Sequence, residues 1–152
     1  MKTIALYPGS FNKFHIGHLN IFKKAESIFE NVVIAIGVNQ DKDSVDIFEK
    51  NRYAEYLSNC IGGTVLVYTG FMHELIEKYE KEGFNVVIIR GLRNTTDLEY
   101  EMNQMKFVNS LKKDNVNVVY ITCDVEFEHI SSSAIRKIEQ AGGVEMTNNL
   151  IV

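Results

Sequence analysis

Three runs of apolar residues constrain the fold of this chain more than any other feature of its sequence. They are Thr3–Tyr7, Val32–Val38 and Val86–Ile89. Each run is continuous rather than alternating, as expected for strands that are buried on both faces of a parallel sheet. Thr64–Tyr68 and Val116–Thr122 are two further candidate strands.

Segments with helical spacing lie between the candidate strands. In the first of them, apolar residues from Leu19 to Ile28 recur at three-residue steps, with charged residues between them. Further helices are predicted at Tyr53–Leu57, Met72–Glu82, Leu98–Leu111 and Ser132–Ala141. The repeated alternation predicts an α/β fold: one Rossmann-like, doubly wound domain over residues 1–152 with a five-stranded parallel sheet.

In doubly wound sheets, ligands bind beyond the carboxyl ends of the strands, where the strand order reverses. The loops after Tyr7, Val38 and Ile89 are therefore the places where chemistry is expected. The single proline, Pro8, is predicted to follow the first strand directly, where a chain that leaves a sheet turns.

Composition limits the class of protein. The 152 residues carry a net charge of −4, which argues against broad nucleic-acid binding, because that function usually needs a basic domain. No window approaches the roughly 20 apolar residues of a membrane span, and the apolar stretch at the N-terminus is too short for a signal peptide. Cys60 and Cys123 match no metal spacing and are expected to be reduced thiols. We therefore expect a cytoplasmic protein without nucleic-acid or membrane partners.

The loop after the first strand points most clearly to chemistry. Tyr7–Phe11 contains a glycine that lets a ligand approach the backbone, and His15-Ile16-Gly17-His18 stands at a predicted helix start. Two imidazoles three residues apart face the same side of a helical first turn. The helix N-terminus adds unpaired N–H groups and partial positive charge, which favours phosphate binding.

Other interpretations of the two histidines stay open at this stage. A metal site needs a third ligand nearby, and a Ser10 nucleophile needs a Gly-x-Ser-x-Gly turn; the sequence offers neither. The pair could also lie on the surface without a role. The dinucleotide fingerprint Gly-x-Gly-x-x-Gly is absent, which argues against a dehydrogenase.

Two later segments also suit phosphate. Arg90–Arg93 follows a predicted strand, and a guanidinium fork matches paired phosphate oxygens. The carboxylates of Asp97–Glu101 fit either a solvated helix start or a site. Ser131 or Ser132 would cap the next helix, and the exposed amides of the same helix start can hold a triphosphate.

These motifs together resemble a known family. Tyr7–Phe11 followed by His-x-Gly-His resembles the signature of the nucleotidyltransferase superfamily, which shares ancestry with class I aminoacyl-tRNA synthetases. Arg-Gly-Leu-Arg at 90–93, Asp-Leu-Glu-Tyr-Glu at 97–101 and Ile-Ser-Ser-Ser at 130–133 narrow the resemblance to the phosphopantetheine adenylyltransferase family, over about residues 2–143. The arginine block with Glu-Tyr-Glu is the most specific part, because distant relatives share only the histidine motif and the late serines.

The resemblance implies an activity: transfer of AMP from ATP to 4′-phosphopantetheine, giving dephospho-coenzyme A and pyrophosphate in coenzyme A biosynthesis. It also implies Mg²⁺ held mainly by the ATP phosphates rather than by protein ligands. Feedback binding of coenzyme A and a homohexamer are further expectations from the same resemblance.

The resemblance also implies roles for individual residues. The expected catalytic residues are Ser10, His18, Lys42 and Arg93. The expected nucleotide contacts are Ser10, Phe11, His15, His18, Gly91, Leu92, Arg93, Glu101, Phe127, Glu128, His129, Ile130, Ser131, Ser132 and Ser133. The expected acceptor contacts are Ser10, Lys42, Ile76 and Arg90.

The sequence departs from the family pattern at three places. Asn12-Lys13 stands where the family usually has Asp-Pro, the loop after Val38 lacks the usual proline, and the segment after Gly143 is short, so a terminal helix is expected to be reduced. None of these changes removes an expected phosphate-binding residue. Two alternatives remain: a related nucleotidyltransferase with another phosphorylated acceptor, and a non-catalytic homologue that binds nucleotide.

Overall fold

Strands and helices alternate along the chain in the computed structural model, which describes residues 1–39, 44–112 and 114–152. The strands are β1 (Lys2–Gly9), β2 (Val32–Val38), β3 (Thr64–Thr69), β4 (Phe84–Leu92) and β5 (Asn117–Thr122). The helices are α1 (Ile16–Ile28), α2 (Ser44–Ile61), α3 (Met72–Lys81), α4 (Thr95–Lys112), α5 (Ser132–Gln140) and α6 (Val144–Thr147). Short 3-10 turns lie at Val125–Phe127 and Asn148–Leu150.

The five strands form one sheet in the order β3-β2-β1-β4-β5, and every neighbouring pair is parallel. The chain moves outward from β1 through β2 to β3, and then returns to the other side of β1 with β4. The strand order therefore reverses between β1 and β4. This topology confirms the predicted doubly wound α/β fold with a five-stranded parallel sheet.

Apolar side chains cover both faces of the sheet, because successive residues of a strand point to opposite sides. On one face, Tyr7 and Ile34 pack with Phe22 of α1 and Leu57 of α2. On the other face, Leu6, Ala35 and Ile88 pack with Ile76 of α3 and Met105 of α4. This two-sided burial explains why the strands are continuously apolar in sequence.

The prediction for the second helix was too short. The helix α2 runs over Ser44–Ile61, whereas the sequence pattern predicts only Tyr53–Leu57. Ala54, Leu57 and Ile61 form the buried stripe that made the pattern visible. The preceding turns show little amphipathicity, but no glycine or proline interrupts them, so the helix extends to Ser44.

The prediction for Pro8 was also wrong, because Pro8 lies inside β1 and not after it. The Ala5 amide donates to the Asn31 carbonyl, toward β2, at 2.8 Å. Amide directions alternate along a strand, so the nitrogen of Pro8 faces β4, where a proline has no N–H to donate. The β1–β4 pairing ends at Leu6, whereas the β1–β2 pairing continues to Gly9. Pro8 therefore marks the point where β1 and β4 separate.

After Gly143 the chain forms the single turn of α6 and a 3-10 turn, and Ile151 then bridges antiparallel to His15. Cys60 and Cys123 are both free thiols. Within the described ranges, no helix combines the length and the apolar character that crossing a bilayer requires.

Candidate active site

A cleft of about 380 Å³ opens at the carboxyl ends of β1 and β4, where the strand order reverses. Ligand sites commonly occupy roughly 300–1,000 Å³, and this position in a doubly wound sheet is the usual one. The cleft brings together most of the predicted site residues. They are Ser10, Phe11, His15, His18, Arg90, Gly91, Leu92, Arg93, Glu101, Phe127, Ile130, Ser131, Ser132 and Ser133.

Four predicted site residues are not placed in this cleft. Ile76 is 1% exposed and belongs to the core between the sheet and α3 and α4, so the structure does not bring it to the expected acceptor site. Glu128 and His129 are exposed and lie outside the cleft lining. Lys42 lies outside the described residues.

The two histidines cap the N-terminus of α1. His15 is the N-cap residue, and its Nδ1 accepts a hydrogen bond from the His18 amide at 3.3 Å. The His15 amide in turn donates to Nδ1 of His18 at 3.1 Å. The imidazole rings stack with their centroids 3.6 Å apart. This reciprocal arrangement is a capping box in which imidazoles replace the usual hydroxyl and carboxylate.

Both histidines are neutral at physiological pH in this structure. Burial, and then the charge of Arg93, lowers the pKa of His15 to about 4. Burial lowers the pKa of His18 well below its usual value, with smaller contributions from His15 and Arg93. In a neutral imidazole whose Nδ1 accepts a hydrogen bond, the proton is on Nε2. Each ring therefore keeps Nε2–H as its remaining donor.

Gly17 and Phe11 shape the surroundings of the histidine pair. A Cβ atom on Gly17 would lie 3.0 Å from Cε1 and Nδ1 of the His15 ring, so the absence of a side chain leaves room for that ring. Phe11 is 6% exposed, has φ of 42°, and packs against His18 with a centroid distance of 4.9 Å. Tyr7 and Phe14 complete this aromatic wall around the ring of His18. The wall supplies the burial that keeps the imidazoles uncharged.

Arg93 is held by a carboxylate four residues along the chain. Its Nε and Nη2 atoms donate to Asp97 at 3.0 and 3.3 Å, and its amide donates to the same side chain at 2.9 Å. Asp97 lies in the first turn of α4, where its own amide bonds to Asn94. The guanidinium is therefore oriented before any ligand binds.

Arg90 forms the second arginine–carboxylate pair of the cleft. Its Nε lies 3.2 Å from Oε2 of Glu101, but the angle does not give a hydrogen bond, and both atoms are buried without another hydrogen-bond partner among the described residues. Burial raises the pKa of Glu101, although the charge of Arg90 opposes that shift. Because the pair is poorly aligned, Arg90 and Glu101 can each form better hydrogen bonds with a polar ligand than with each other.

The start of α5 forms the far wall of the cleft. Ser131 caps the helix, because its hydroxyl accepts from the Ala134 amide at 3.0 Å. This confirms one of the two caps proposed from the sequence. The amides of Ser132 and Ser133 belong to the first turn, where amides have no partner within the helix. A helix start of this kind presents N–H donors and partial positive charge to an anion.

The comparisons with known proteins agree with this geometry. The cytidylyltransferase-like family matches residues 6–138. A phosphopantetheine adenylyltransferase from Leptospira biflexa is 32% identical over 93% of this chain and 87% of its own length. Proteins of the same name from Cytophaga hutchinsonii and Thermotoga neapolitana are 35% and 34% identical, over 94% and 92% of this chain. The chain belongs to the phosphopantetheine adenylyltransferase family.

A solved structure supports the fold of this adenylyltransferase family member. The lipopolysaccharide core biosynthesis protein of Thermoplasma volcanium superposes with a TM-score of 0.51 over 82% of this chain and 99% of its own. The two sequences are 16% identical, so this likeness concerns the fold alone.

Sequence reasoning missed some residues of the adenylyltransferase-family cleft. Asp97 belongs to the family motif at 97–101 but was given no role of its own, although it lies four residues after Arg93 and pairs with it. Tyr7 and Tyr100 also line the cleft, and burial raises the pKa of Tyr7 so that it stays uncharged. Both tyrosines lie inside the motifs that carry the family resemblance, and that position is the signal that could have found them.

Proposed function

We propose that this protein transfers AMP from ATP to 4′-phosphopantetheine, producing dephospho-coenzyme A and pyrophosphate. The observation that carries the proposal is the cleft itself. A pair of neutral imidazoles on one wall faces two arginines and a serine-rich helix start, in a chain that belongs to the phosphopantetheine adenylyltransferase family. All three groups are donors suited to phosphate oxygens.

The chemistry needs neither a general base nor a covalent enzyme intermediate, since the attacking phosphate is already an anion. A phosphate oxygen of phosphopantetheine bonds to the α-phosphorus of ATP, and the bond from that phosphorus to the bridging oxygen breaks. The electron pair leaves with pyrophosphate. Catalysis then consists of positioning the two phosphates and stabilising the charge that develops between them.

The neutral state of the histidines defines their proposed role. A neutral imidazole with its proton on Nε2 can donate one hydrogen bond from that nitrogen. His18 stabilises the phosphate under attack. His15 stacks on the His18 ring and contacts the triphosphate. Binding of a polyanion then raises both histidine pKa values, because a nearby negative charge favours the imidazolium.

The arginines and the serines divide the remaining proposed contacts. Arg93, with Gly91 and Leu92, binds the triphosphate, and Arg90 binds the acceptor phosphate together with Ser10. Glu101 contacts the nucleotide once Arg90 has a phosphate partner. Phe127 and the segment 130–133 surround the adenine and phosphates. Lys42 joins the proposed catalytic and acceptor contacts on sequence resemblance alone.

Magnesium enters this proposal as part of the nucleotide substrate. Among the described residues, no group of three or more histidines, cysteines or carboxylates is arranged to hold a metal ion. Asp97 and Glu101, the two carboxylates that line the cleft in the described part of the chain, already pair with arginines. We therefore propose that Mg²⁺ arrives on the oxygens of ATP, where it neutralises phosphate charge.

The proposal extends to assembly, regulation and location. We propose a homohexamer, which is supported by large apolar side chains that the single chain leaves exposed outside the cleft, among them Phe48 and Phe107. Coenzyme A is proposed to bind as a feedback inhibitor, which predicts inhibition that rises with coenzyme A and is relieved by phosphopantetheine. The two free thiols are in keeping with the proposed cytoplasmic location.

Pyrophosphate release tests the activity directly. The protein is mixed with ATP, Mg²⁺ and 4′-phosphopantetheine, and parallel reactions omit the acceptor or replace it with nicotinamide mononucleotide. CTP replaces ATP in a further reaction. Release that requires both ATP and phosphopantetheine supports the proposal. Faster release with another acceptor or with CTP, or ATP binding without any release, would refute it.

His18→Ala tests the proposed catalytic donor. Loss of one preorganised donor to a phosphate typically lowers kcat about 10²–10³-fold, and ATP binding should be much less affected. Lys23→Ala, on the exposed side of the same helix, is the matched control and should keep wild-type kcat. Turnover of His18→Ala within threefold of wild type, with normal ATP binding, would remove His18 from the mechanism.

A further inference from the structure

The turn that precedes the histidine pair is held from two sides. On the α2 side, Lys50 donates to the Asn12 side chain at 2.6 Å, and the Phe14 amide donates to the Tyr53 hydroxyl at 3.0 Å. On the opposite side, Lys13 forms an ion pair with Glu139 near the end of α5. Asn12 and Lys13 form one of the three departures from the family pattern, and both make contacts in this structure.

Glu139 is the point where three segments meet. Its carboxylate pairs with Lys13 and also accepts from the Thr147 hydroxyl at 3.3 Å. Thr147 is fully buried, and its hydroxyl also donates to the Val144 carbonyl at 2.9 Å. The pair with Lys13 lowers the pKa of Glu139. The Glu139 side chain is only 16% exposed, so the ion pair is partly shielded from water.

The segment after α6 completes this connection. The Val152 amide donates to the Phe14 carbonyl at 2.9 Å, and Ile151 bridges to His15. Backbone groups on both sides of the His15 peptide are thereby fixed by residues more than 130 positions away in sequence. Because α5 begins with the serines of the cleft, the same helix contacts the site at its start and the histidine turn at its end.

We propose that Glu139 is a positioning residue for the adenylyl transfer. Through Lys13 and Thr147 it ties α5 and the segment 144–152 to the turn that carries His15 and His18. The start of α5, with Ser131–Ser133, and the turn with His15 and His18 then keep a fixed separation across the cleft. This inference rests on the proposed function, because it concerns the geometry of that reaction.

Glu139→Gln removes the charge but keeps the size and the acceptor for Thr147. A misplacement of about 1 Å can cost 10²-fold in rate, so loosening of this turn is expected to lower kcat about tenfold and to change KM for ATP by less than twofold. Lys13→Met should give the same loss. The charge-swapped double variant Lys13→Glu with Glu139→Lys should recover at least half of the wild-type kcat.

The control variant is Glu145→Gln, an exposed carboxylate on α6, which should keep wild-type kcat. The histidine Cε1–H resonances in NMR spectra supply a readout independent of turnover: Glu139→Gln should shift the His15 resonance, and Glu145→Gln should not. Thermal unfolding of each variant checks the fold. Wild-type kcat with an unshifted His15 resonance in Glu139→Gln would overturn the proposal, and so would a loss that the charge swap does not restore.

The test separates this inference from the proposed function. If the wild-type protein releases no pyrophosphate, the proposed function fails. The histidine resonances of the Glu139 and Lys13 variants still decide whether the ion pair positions the turn.

Discussion

At the scale of single residues, His15 and His18 each accept a backbone hydrogen bond on the nitrogen that a charged imidazole would protonate. Protonation of either ring would break a bond of the capping box and place charge beside the partner ring, 3.6 Å away. The geometry and the lowered pKa values therefore describe the same neutral state. An added negative charge, such as a bound phosphate, would raise both pKa values and so favour protonation.

The pH dependence of stability follows from this neutral state. The pKa of His15 falls from 6.5 in the unfolded chain to about 4 in the folded protein, so the folded state binds fewer protons between these values. The contribution of His15 is fully present above pH 6.5. It is lost as pH falls toward 4, by up to about 1.4 kcal/mol per pH unit. His18 adds a loss of the same sign.

Urea denaturation at about pH 7.5 and about pH 5 measures this effect as the free energy of unfolding. His15→Gln removes one of the two titrating rings, so the variant should lose about 2 kcal/mol less than wild type between the two pH values. An equal loss in both proteins would show that His15 is not held neutral by the fold.

Gly17→Ala separates the position of His15 from overall stability. The added Cβ would lie 3.0 Å from the His15 ring, so the ring must move by a few tenths of an ångström. Weakening of the cap costs about 1 kcal/mol, and alanine in place of glycine returns up to about 1 kcal/mol of helix propensity. We expect nearly unchanged unfolding in urea and a kcat about tenfold lower. Wild-type kcat in this variant would show that the exact place of the ring is unimportant.

The sequence predicts the histidine pair but not its state. Spacing alone places the two rings on one side of a helix start, and the structure confirms that placement. Neutrality depends on burial by Phe11 and Phe14 and on the nearby charge of Arg93, which the chain brings together only in three dimensions. No local pattern encodes that environment.

At the scale of the elements, the end of β4 and the start of α4 form one unit. Arg90 lies near the end of β4, and Arg93 follows the strand. Glu101 and Asp97 of α4 form ion pairs with Arg90 and Arg93, respectively. Each arginine thus reaches the cleft already paired with a carboxylate. Under the proposed function, we expect a bound triphosphate to replace or share these carboxylate partners.

Arg93→Lys tests the value of the forked side chain. Lysine keeps the charge but loses the paired donors, and one charge-assisted hydrogen bond is worth about 1.5–3 kcal/mol. We therefore expect kcat/KM for ATP to fall roughly 10–100-fold. The control, Arg52→Lys on the exposed side of α2, should leave kcat/KM unchanged. If Arg93→Lys matched that control, charge alone would be sufficient at this position.

The existence of the elements is well predicted by the sequence, whereas some details are not. All five strands lie where apolar runs predict them, because burial on both faces requires such runs. The helix α2 is longer than predicted, since its first turns carry no clear stripe. The family resemblance implied an acceptor contact for Ile76, but in the structure Ile76 packs in the core with Leu75 and Met72.

At the scale of the whole molecule, the exposed apolar side chains bear on assembly. Phe107 is 71% exposed and Phe48 is 62% exposed in the single chain. The proposed hexamer predicts a sedimenting species of about six times the 17.4 kDa of one chain at micromolar concentration. A species of one chain's mass under these conditions would contradict the proposal, whatever the activity of the protein.

Pro8 has a consequence for the mechanics of the whole sheet. Beyond Leu6 the sheet consists of two separately hydrogen-bonded groups, β3-β2-β1 and β4-β5, with the cleft between them. Because proline offers no N–H toward β4, the gap cannot close into a ladder at that residue. No backbone ladder therefore joins the two groups at their carboxyl ends. Under the proposed role of Glu139, side-chain contacts and not strand pairing hold the cleft at its width there.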